Sequence, residues 1–407
     1  MRIHAFGGTR FADASRAGSL AGPPYDQIDE VLRAELQQEP HHFAHLIRPG
    51  VEVDPHGFAA RLHASWLETG VLTIDDEPAL YPYEILFPDE QRRLGLATLV
   101  ELEDPSTGII RPHEATVAKT VDERLSLLRE TQIDLEPILL LADDAGRLDE
   151  LLTDDLRDSQ ALVDHQDSTG HRHRLYRITA VERIAEYQHL LTPCVGLIAD
   201  GHHRYTVAQR YAQERKARSG TAAAAKLSVI TSLTAPGLAI DPIHRQLRLA
   251  LDIESVAGLA SSHQSISSNS GQAIAEAVAG APQPALAVSV GTRTELWGFA
   301  ANRAPESLSP CLHHLAVGWL HSVLLPALGL PPEAATDGTV AYRSDPDRLL
   351  SELSSGEAAF GFWLPPMSGG DFAQAMQGGQ LLPPKSTRFL PKVASGLVWA
   401  RHDCALF

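Results

Sequence analysis

Residues Cys194 to Tyr211 read CVGLIADGHHRYTVAQRY. An apolar run that suits a buried strand ends in Asp200-Gly201-His202-His203-Arg204, and an amphipathic helix pattern opens directly after it. A strand that enters a helix through a glycine turn leaves the first N–H groups of the helix unpaired and aimed at one point, which suits a phosphate or a carboxylate. Gly201 allows a backbone conformation closed to other residues, and Arg204 can grip the same anion bidentately. Consecutive Asp, His, His and Arg do little for packing and are costly to bury unpaired. The turn therefore reads as a site.

The rest of the chain alternates helix and strand patterns, which predicts a mixed α/β (α+β) fold. Helices are expected over Asp26 to Glu39, Phe58 to Thr69 and Val121 to Glu130, from apolar residues at helical spacing. Leu80 to Phe87 and Leu94 to Leu102 read as a hairpin around the polar turn Pro88 to Gln91. Further strands are expected at Pro137 to Leu141, Arg174 to Thr179 and Lys226 to Leu233. Between Ser255 and Pro284 the composition turns to Ser, Ala, Gly, Gln and Asn, which predicts a linker or mobile loop. Domains are thus expected at 1–254 and 285–407, joined by 255–284. Ala285 to Val290 with Thr294 to Phe299 predicts a second hairpin, and Leu315 to Leu325 a buried helix.

Two other constellations carry chemistry. In Arg111-Pro112-His113-Glu114-Ala115-Thr116 a carboxylate follows a rigid proline beside an imidazole, so Glu114 can serve as a general base, or His113 and Glu114 can cap the helix that follows. Near the C-terminus, Pro383-Pro384-Lys385-Ser386-Thr387-Arg388-Phe389, with Lys392 close behind, sets cations and hydroxyls on one Pro-bounded loop, a set able to surround a transferring phosphoryl group. Pro23-Pro24-Tyr25-Asp26 is either a rigid loop presenting Asp26 or a structural turn. His41, His42 and His45 lack the carboxylate pattern of a metal helix. His171 and His173 read as strand or turn surface, and His313, His314 and His321 as core or capping residues.

Charge and cysteine usage narrow the classes. With 51 acidic against 34 basic residues and a formal charge of −17, the chain is ill suited to wrapping a nucleic-acid backbone. Cys194, Cys311 and Cys404 form no CxxC pair, which speaks against structural zinc or a disulfide framework and for a reducing cytoplasm. No apolar run reaches bilayer length, so no membrane partner is expected, while a homo-oligomer stays open. The P-loop, the GxGxxG fingerprint and the GxSxG elbow are all missing. Phosphate binding then needs another scaffold.

The segments PPYD (Pro23 to Asp26), HLIRP (His45 to Pro49), RPHEAT (Arg111 to Thr116), ADGHHRY (Ala199 to Tyr205), DPIHR (Asp241 to Arg245) and PPKSTRFLPK (Pro383 to Lys392) resemble, over nearly the whole chain, domain-of-unknown-function family 1015. Three of them, PHE, DGHHR and the PK-S/T-T-R loop, are also similar to those of free-serine kinases in the ParB/sulfiredoxin-like superfamily. That resemblance implies a ParB/sulfiredoxin-like core with large insertions and a C-terminal α/β region. It further implies phosphoryl transfer from ADP, or from ATP, to the hydroxyl of free L-serine or a serine-like amino acid. Glu114 would be the catalytic base with His113 beside it. Asp200, Gly201, His202, His203 and Arg204 would hold the nucleotide phosphates, and Lys385, Ser386, Thr387 and Arg388 the acceptor. Mg²⁺ would accompany the nucleotide, with Asp200 as one ligand.

The chain departs from those kinases in its extra length and in Phe389, where they tend to carry a polar residue. Sulfiredoxins place a nucleophilic cysteine where this chain has His202, which removes thiol repair chemistry. ParB-like proteins add basic surface that is absent here. Two competing expectations remain: a metal-dependent hydrolase built on His113, Glu114, His202 and His203, and a non-catalytic nucleotide-binding regulator.

Overall fold

The computed structural model describes residues 1–50, 53–249, 251–377, 379, 381–404 and 406. The chain is of mixed α+β class and divides into two compact units, Met1–Leu238 with Pro391–Phe407, and Ala239–Leu390. The expected division at 255–284 falls inside the second unit. There the edge strand Ser262–Ile266 pairs with Arg293–Gly298, and the helix Gly271–Ala279 buries Ile274 and Val278 under a Ser270 cap. Its polar composition belongs to a solvated edge strand and a helix cap, not to a linker.

The first unit is built on a nine-stranded sheet. Its order is Ile110–Arg111, Gly196–Asp200, Ile138–Ala142, Ala225–Ser232, Arg92–Glu101, Tyr81–Leu86, Arg172–Leu175 and Val163–Gln166, with Ile3–His4 added beside Arg92–Glu101. Ala225–Ser232 is buried along its whole length although half its residues are polar, and these find partners inside the fold: Lys226 binds Asp134 and the Glu136 carbonyl, and Ser232 donates to Asp144. The hairpin Tyr81–Leu86 with Arg92–Glu101 forms as expected, one to two residues off the expected ends. The helices Arg147–Leu156 and Val181–Leu191 bury Leu148, Leu152, Tyr187 and Leu191 in a core shared with Ile138, Leu140, Ile198 and Ile230.

Val121, Leu125 and Leu128 lie on one stripe of the helix Ala118–Thr131 and pack against Val207 and Tyr211 of the helix His202–Arg215. The second helix is thereby fixed behind the glycine turn that starts it. His173, expected at the surface, is instead buried, bonded to the Tyr83 hydroxyl at 2.6 Å and to the Asp167 carboxylate at 3.2 Å. The carboxylate and phenol satisfy the ring, which removes the cost of burying it.

The second unit is a six-stranded antiparallel sheet in the order Ser262–Ile266, Arg293–Gly298, Ala285–Val290, Phe360–Trp363, His244–Leu247 and Val340–Arg343. The helices Gly271–Ala279 and Pro346–Ser354 pack their Ile274, Val278, Leu349 and Leu353 with Ala287 and Trp363. The expected buried helix at Leu315 to Leu325 is interrupted: Ala316–Trp319 is α-helical, Leu320–Leu324 is a π-helical turn, and Leu325–Ala327 returns to α. No helix among the described residues is long and apolar enough to cross a membrane.

Four histidines outside the glycine turn and the PHE segment, three of them buried and His321 partly so, serve as hydrogen-bond acceptors. His42 accepts from the Ala44 amide, His63 from the Trp399 indole, His244 from the Leu364 amide and His321 from Arg245, each at 3.1 Å. Burial holds His42, His63 and His244 down at about 4 and His321 at about 3. Between those values and the ordinary 6.5 the unfolded chain takes up protons that the folded one refuses, so stability falls as the pH drops through that window. At pH 5 the loss is about 2 kcal/mol per histidine. Thermal melting at pH 7.5 and pH 5.0 should show a marked fall in Tm, and His63→Gln should flatten the slope; a Tm independent of pH would contradict this.

Candidate functional site

Strand pairing brings two of the three motif regions together. Gly196–Asp200 runs antiparallel to Ile138–Ala142 on one side and parallel to Ile110–Arg111 on the other, with Gly196 opposite Ile110 and Leu197 opposite Arg111. Because the two strands point the same way, the segment after Arg111 and the turn after Asp200 emerge at the same edge. Gly201 turns the chain at φ +96°, and a Cβ there would meet Ile138 Cγ2 at 2.6 Å and Arg204 Nε at 3.0 Å. Gly201→Ala should cost on the order of 2 kcal/mol in urea denaturation. Gly220, at φ +79° with nothing within 4 Å of its virtual Cβ, should lose less on the same change; equal losses would remove the packing argument.

Both histidines of the turn are engaged through Nε2, His202 buried and His203 half-buried. His202 Nε2 accepts from the His113 amide at 3.2 Å, and His203 Nε2 accepts from the Val117 amide at 2.9 Å. His113 Nδ1 donates to the Ile198 carbonyl at 2.6 Å, and its ring meets that of His202 edge-on with 4.4 Å between centroids. Both buried rings stay neutral: burial holds His113 at about 4, while burial and then the neighbouring His113 push His202 well below its ordinary range. Ligand atoms of His113, Glu114 and His202 all lie within 4.8 Å of one another, the sole such His/Cys/Asp/Glu group among the described residues. His41, His42 and His45 form none.

Asp200 is the electrostatic hub. One oxygen pairs with Arg204 at 2.5 Å and the other with Lys392. Burial raises the carboxyl, but Arg204 and Lys392 together outweigh it and hold Asp200 at about 2. Arg204 also donates to the Pro137 carbonyl; burial alone would lower it, and Asp200, Glu136 and Asp26 reverse that and keep it charged. With both oxygens engaged by cations, Asp200 does not fit the role of a Mg²⁺ ligand in this arrangement. Lys392, grouped by sequence with the late loop, is thus a partner of the glycine turn from 192 residues away.

Tyr25 and Asp26 of the PPYD segment start a single 3₁₀ turn, Tyr25–Gln27. The Tyr25 amide donates to Glu136 at 2.9 Å, and the Arg124 guanidinium lies 4.4 Å above its ring. Asp26 stays exposed and acts on Arg204 only through its field.

Lys385, Ser386, Thr387 and Arg388 belong to the second unit. Ser386 Oγ donates to the Pro383 carbonyl at 2.5 Å, Lys385 sits at φ +57°, and Arg388 opens a short strand paired with Ala239–Asp241. Arg245 of the DPIHR segment anchors this loop, a role no local sequence signal gave. Fully buried, it donates to the Pro384 carbonyl at 3.0 Å and to His321, and its guanidinium lies 4.8 Å from the Tyr342 ring centre.

Solved structures similar to the chain include a free serine kinase in complex with AMP, 14% identical, with a TM-score of 0.38, covering 74% of this chain and 92% of that one. A conserved hypothetical protein from Pyrococcus furiosus is 14% identical with a TM-score of 0.36, covering 74% and 95%. SbnI with a C-terminal truncation, from Staphylococcus aureus, is 11% identical with a TM-score of 0.37, covering 73% and 84%. No curated protein matches the chain. The family described as protein of unknown function (DUF1015) matches residues 3–289, more than half of the sequence, and the chain belongs to that family.

Proposed function

We propose that the chain transfers the terminal phosphoryl group of ADP or ATP to the hydroxyl of free L-serine or a serine-like amino acid. The observation that carries this reading is the parallel pairing that sets Glu114 beside the Asp200 to Arg204 turn, joining a carboxylate base to an anion-binding helix start. Phosphoryl transfer mainly demands positioning, charge neutralisation and one oriented base. The three kinase-like motifs in the sequence point the same way.

In this reading Glu114 takes the proton of the acceptor hydroxyl as its oxygen attacks the terminal phosphorus. The bond from that phosphorus to the bridging oxygen breaks, and the electron pair leaves with AMP or ADP. Arg204 and Lys392, gathered by Asp200, supply the positive charge that the phosphoryl oxygens need. Lys385 to Arg388 are the proposed acceptor clamp. Mg²⁺ arriving with the nucleotide would be held by phosphate oxygens and water, and no step is assigned to it.

The clustering of His113, Glu114 and His202 also favours a metal hydrolase. Against it, the Nε2 lone pairs of His202 and His203 are both spent on backbone amides, which leaves the ring proton on Nδ1 of each. The test is incubation with ADP or ATP and a panel of hydroxy amino acids, read by mass spectrometry. A phosphorylated amino acid with matching AMP or ADP is expected. Stoichiometric tightly bound zinc with no phosphorylated product would favour the hydrolase instead.

A further inference from the structure

The segment from His113 to Val117 carries the proposed base yet has no regular structure of its own. It leaves the strand Ile110–Arg111 through Pro112 and enters the helix Ala118–Thr131 at Val117, which has no side-chain cap. Such a loop would ordinarily be the mobile part of a site. Here it is tied down at both ends by consecutive residues of the glycine turn: His202 takes the His113 amide and His203 the Val117 amide. The His113 ring returns a third bond to Ile198, in the strand before the turn. Glu114 lies between these ties.

We infer that His202 and His203 are positioning residues for Glu114, gripping its segment through their Nε2 atoms, rather than ligands of the nucleotide phosphates. The geometry is specific: each imidazole presents its Nε2 lone pair to a main-chain N–H, so each ring is neutral and keeps one N–H, at Nδ1, without the positive charge that a protonated histidine would bring to a phosphate. The strand, the glycine turn and the first helical turn then act as one clamp, which makes the sequence DGHH a device for holding a base as well as an anion cradle. The catalytic consequence rests on Glu114 being the base; the clasp itself does not.

His203 is the residue to change, because it is less buried than His202. Hydrogen exchange over Pro112 to Ala118, nucleotide affinity by calorimetry and kcat would be compared for the native protein, His203→Leu and His203→Gln, with thermal melting to confirm folding. His203→Leu should speed exchange in that segment about tenfold and lower kcat about 10–100-fold, with nucleotide affinity within about threefold. His203→Gln, whose side-chain carbonyl can accept from the same amide, should restore most of both losses. In the native protein, the Val117 amide should exchange more slowly than the Ala115 amide, a comparison that needs no variant. Weakened nucleotide binding with unchanged exchange would overturn the inference, as would equal exchange at Val117 and Ala115. Faster exchange in a protein whose native form shows no turnover would uphold the clasp and sink the kinase reading.

Discussion

Glu114→Gln is expected to lower phosphoryl transfer about 10²–10⁴-fold while leaving the dissociation constant for ADP or ATP within about threefold. Glutamine keeps the shape and the hydrogen-bonding reach of the side chain but cannot take a proton, so the change isolates base catalysis from packing. Glu114 is only half-buried, and no hydrogen bond ties its carboxylate into the core among the described residues, so stability should hardly move. Nucleotide affinity should persist because the groups proposed to meet the phosphates, Arg204 and Lys392, hang on Asp200 and not on Glu114. A variant that turns over at the native rate would remove Glu114 from the chemistry. One that loses nucleotide binding in step with turnover would make it a ligand of the donor.

Asp200→Ala is expected to destabilise the first unit by about 3–5 kcal/mol. The carboxylate holds two cations, and Arg204 beside it is more than nine-tenths buried. Removing the anion leaves a buried guanidinium without its ion-pair partner, while the Pro137 carbonyl supplies no charge. The double variant Asp200→Ala with Arg204→Met should therefore recover part of the loss, because the stranded charge goes with it. Chemical denaturation of the two single variants and the double one measures this coupling. Additive losses would show that Asp200 and Arg204 act independently and that the hub is incidental.

Local chemistry explains what could be read in advance. The hairpin at Tyr81 to Glu101 was visible because the polar turn Pro88 to Gln91 separates two apolar strands, and the helix at Ala118 to Thr131 because Val121, Leu125 and Leu128 recur at helical spacing. The turn at Asp200 to Arg204 stood out because consecutive Asp, His, His and Arg are costly to bury unpaired, and the fold supplies their partners. The orientation of its two histidines was not, since a histidine in sequence shows neither its tautomer nor which nitrogen accepts.

Lys392 was grouped with Lys385 to Arg388 by proximity in the chain. Its pairing with Asp200 is a tertiary contact with no local signature. Arg245 escaped for the same reason: its partners Pro384 and His321 lie far along the chain. The stretch Ser255 to Pro284 misled because an exposed edge strand and a linker share one composition, and only pairing with Arg293–Gly298 distinguishes them.

The most direct measurement labels the terminal phosphate of ADP, and in a second reaction that of ATP, and follows the label with L-serine and related hydroxy amino acids present. Transfer to the acceptor hydroxyl is expected, with one AMP or ADP formed for each phosphorylated amino acid and the signal lost in Glu114→Gln. Label found only as inorganic phosphate, or left entirely in the nucleotide across the whole panel, would contradict the account.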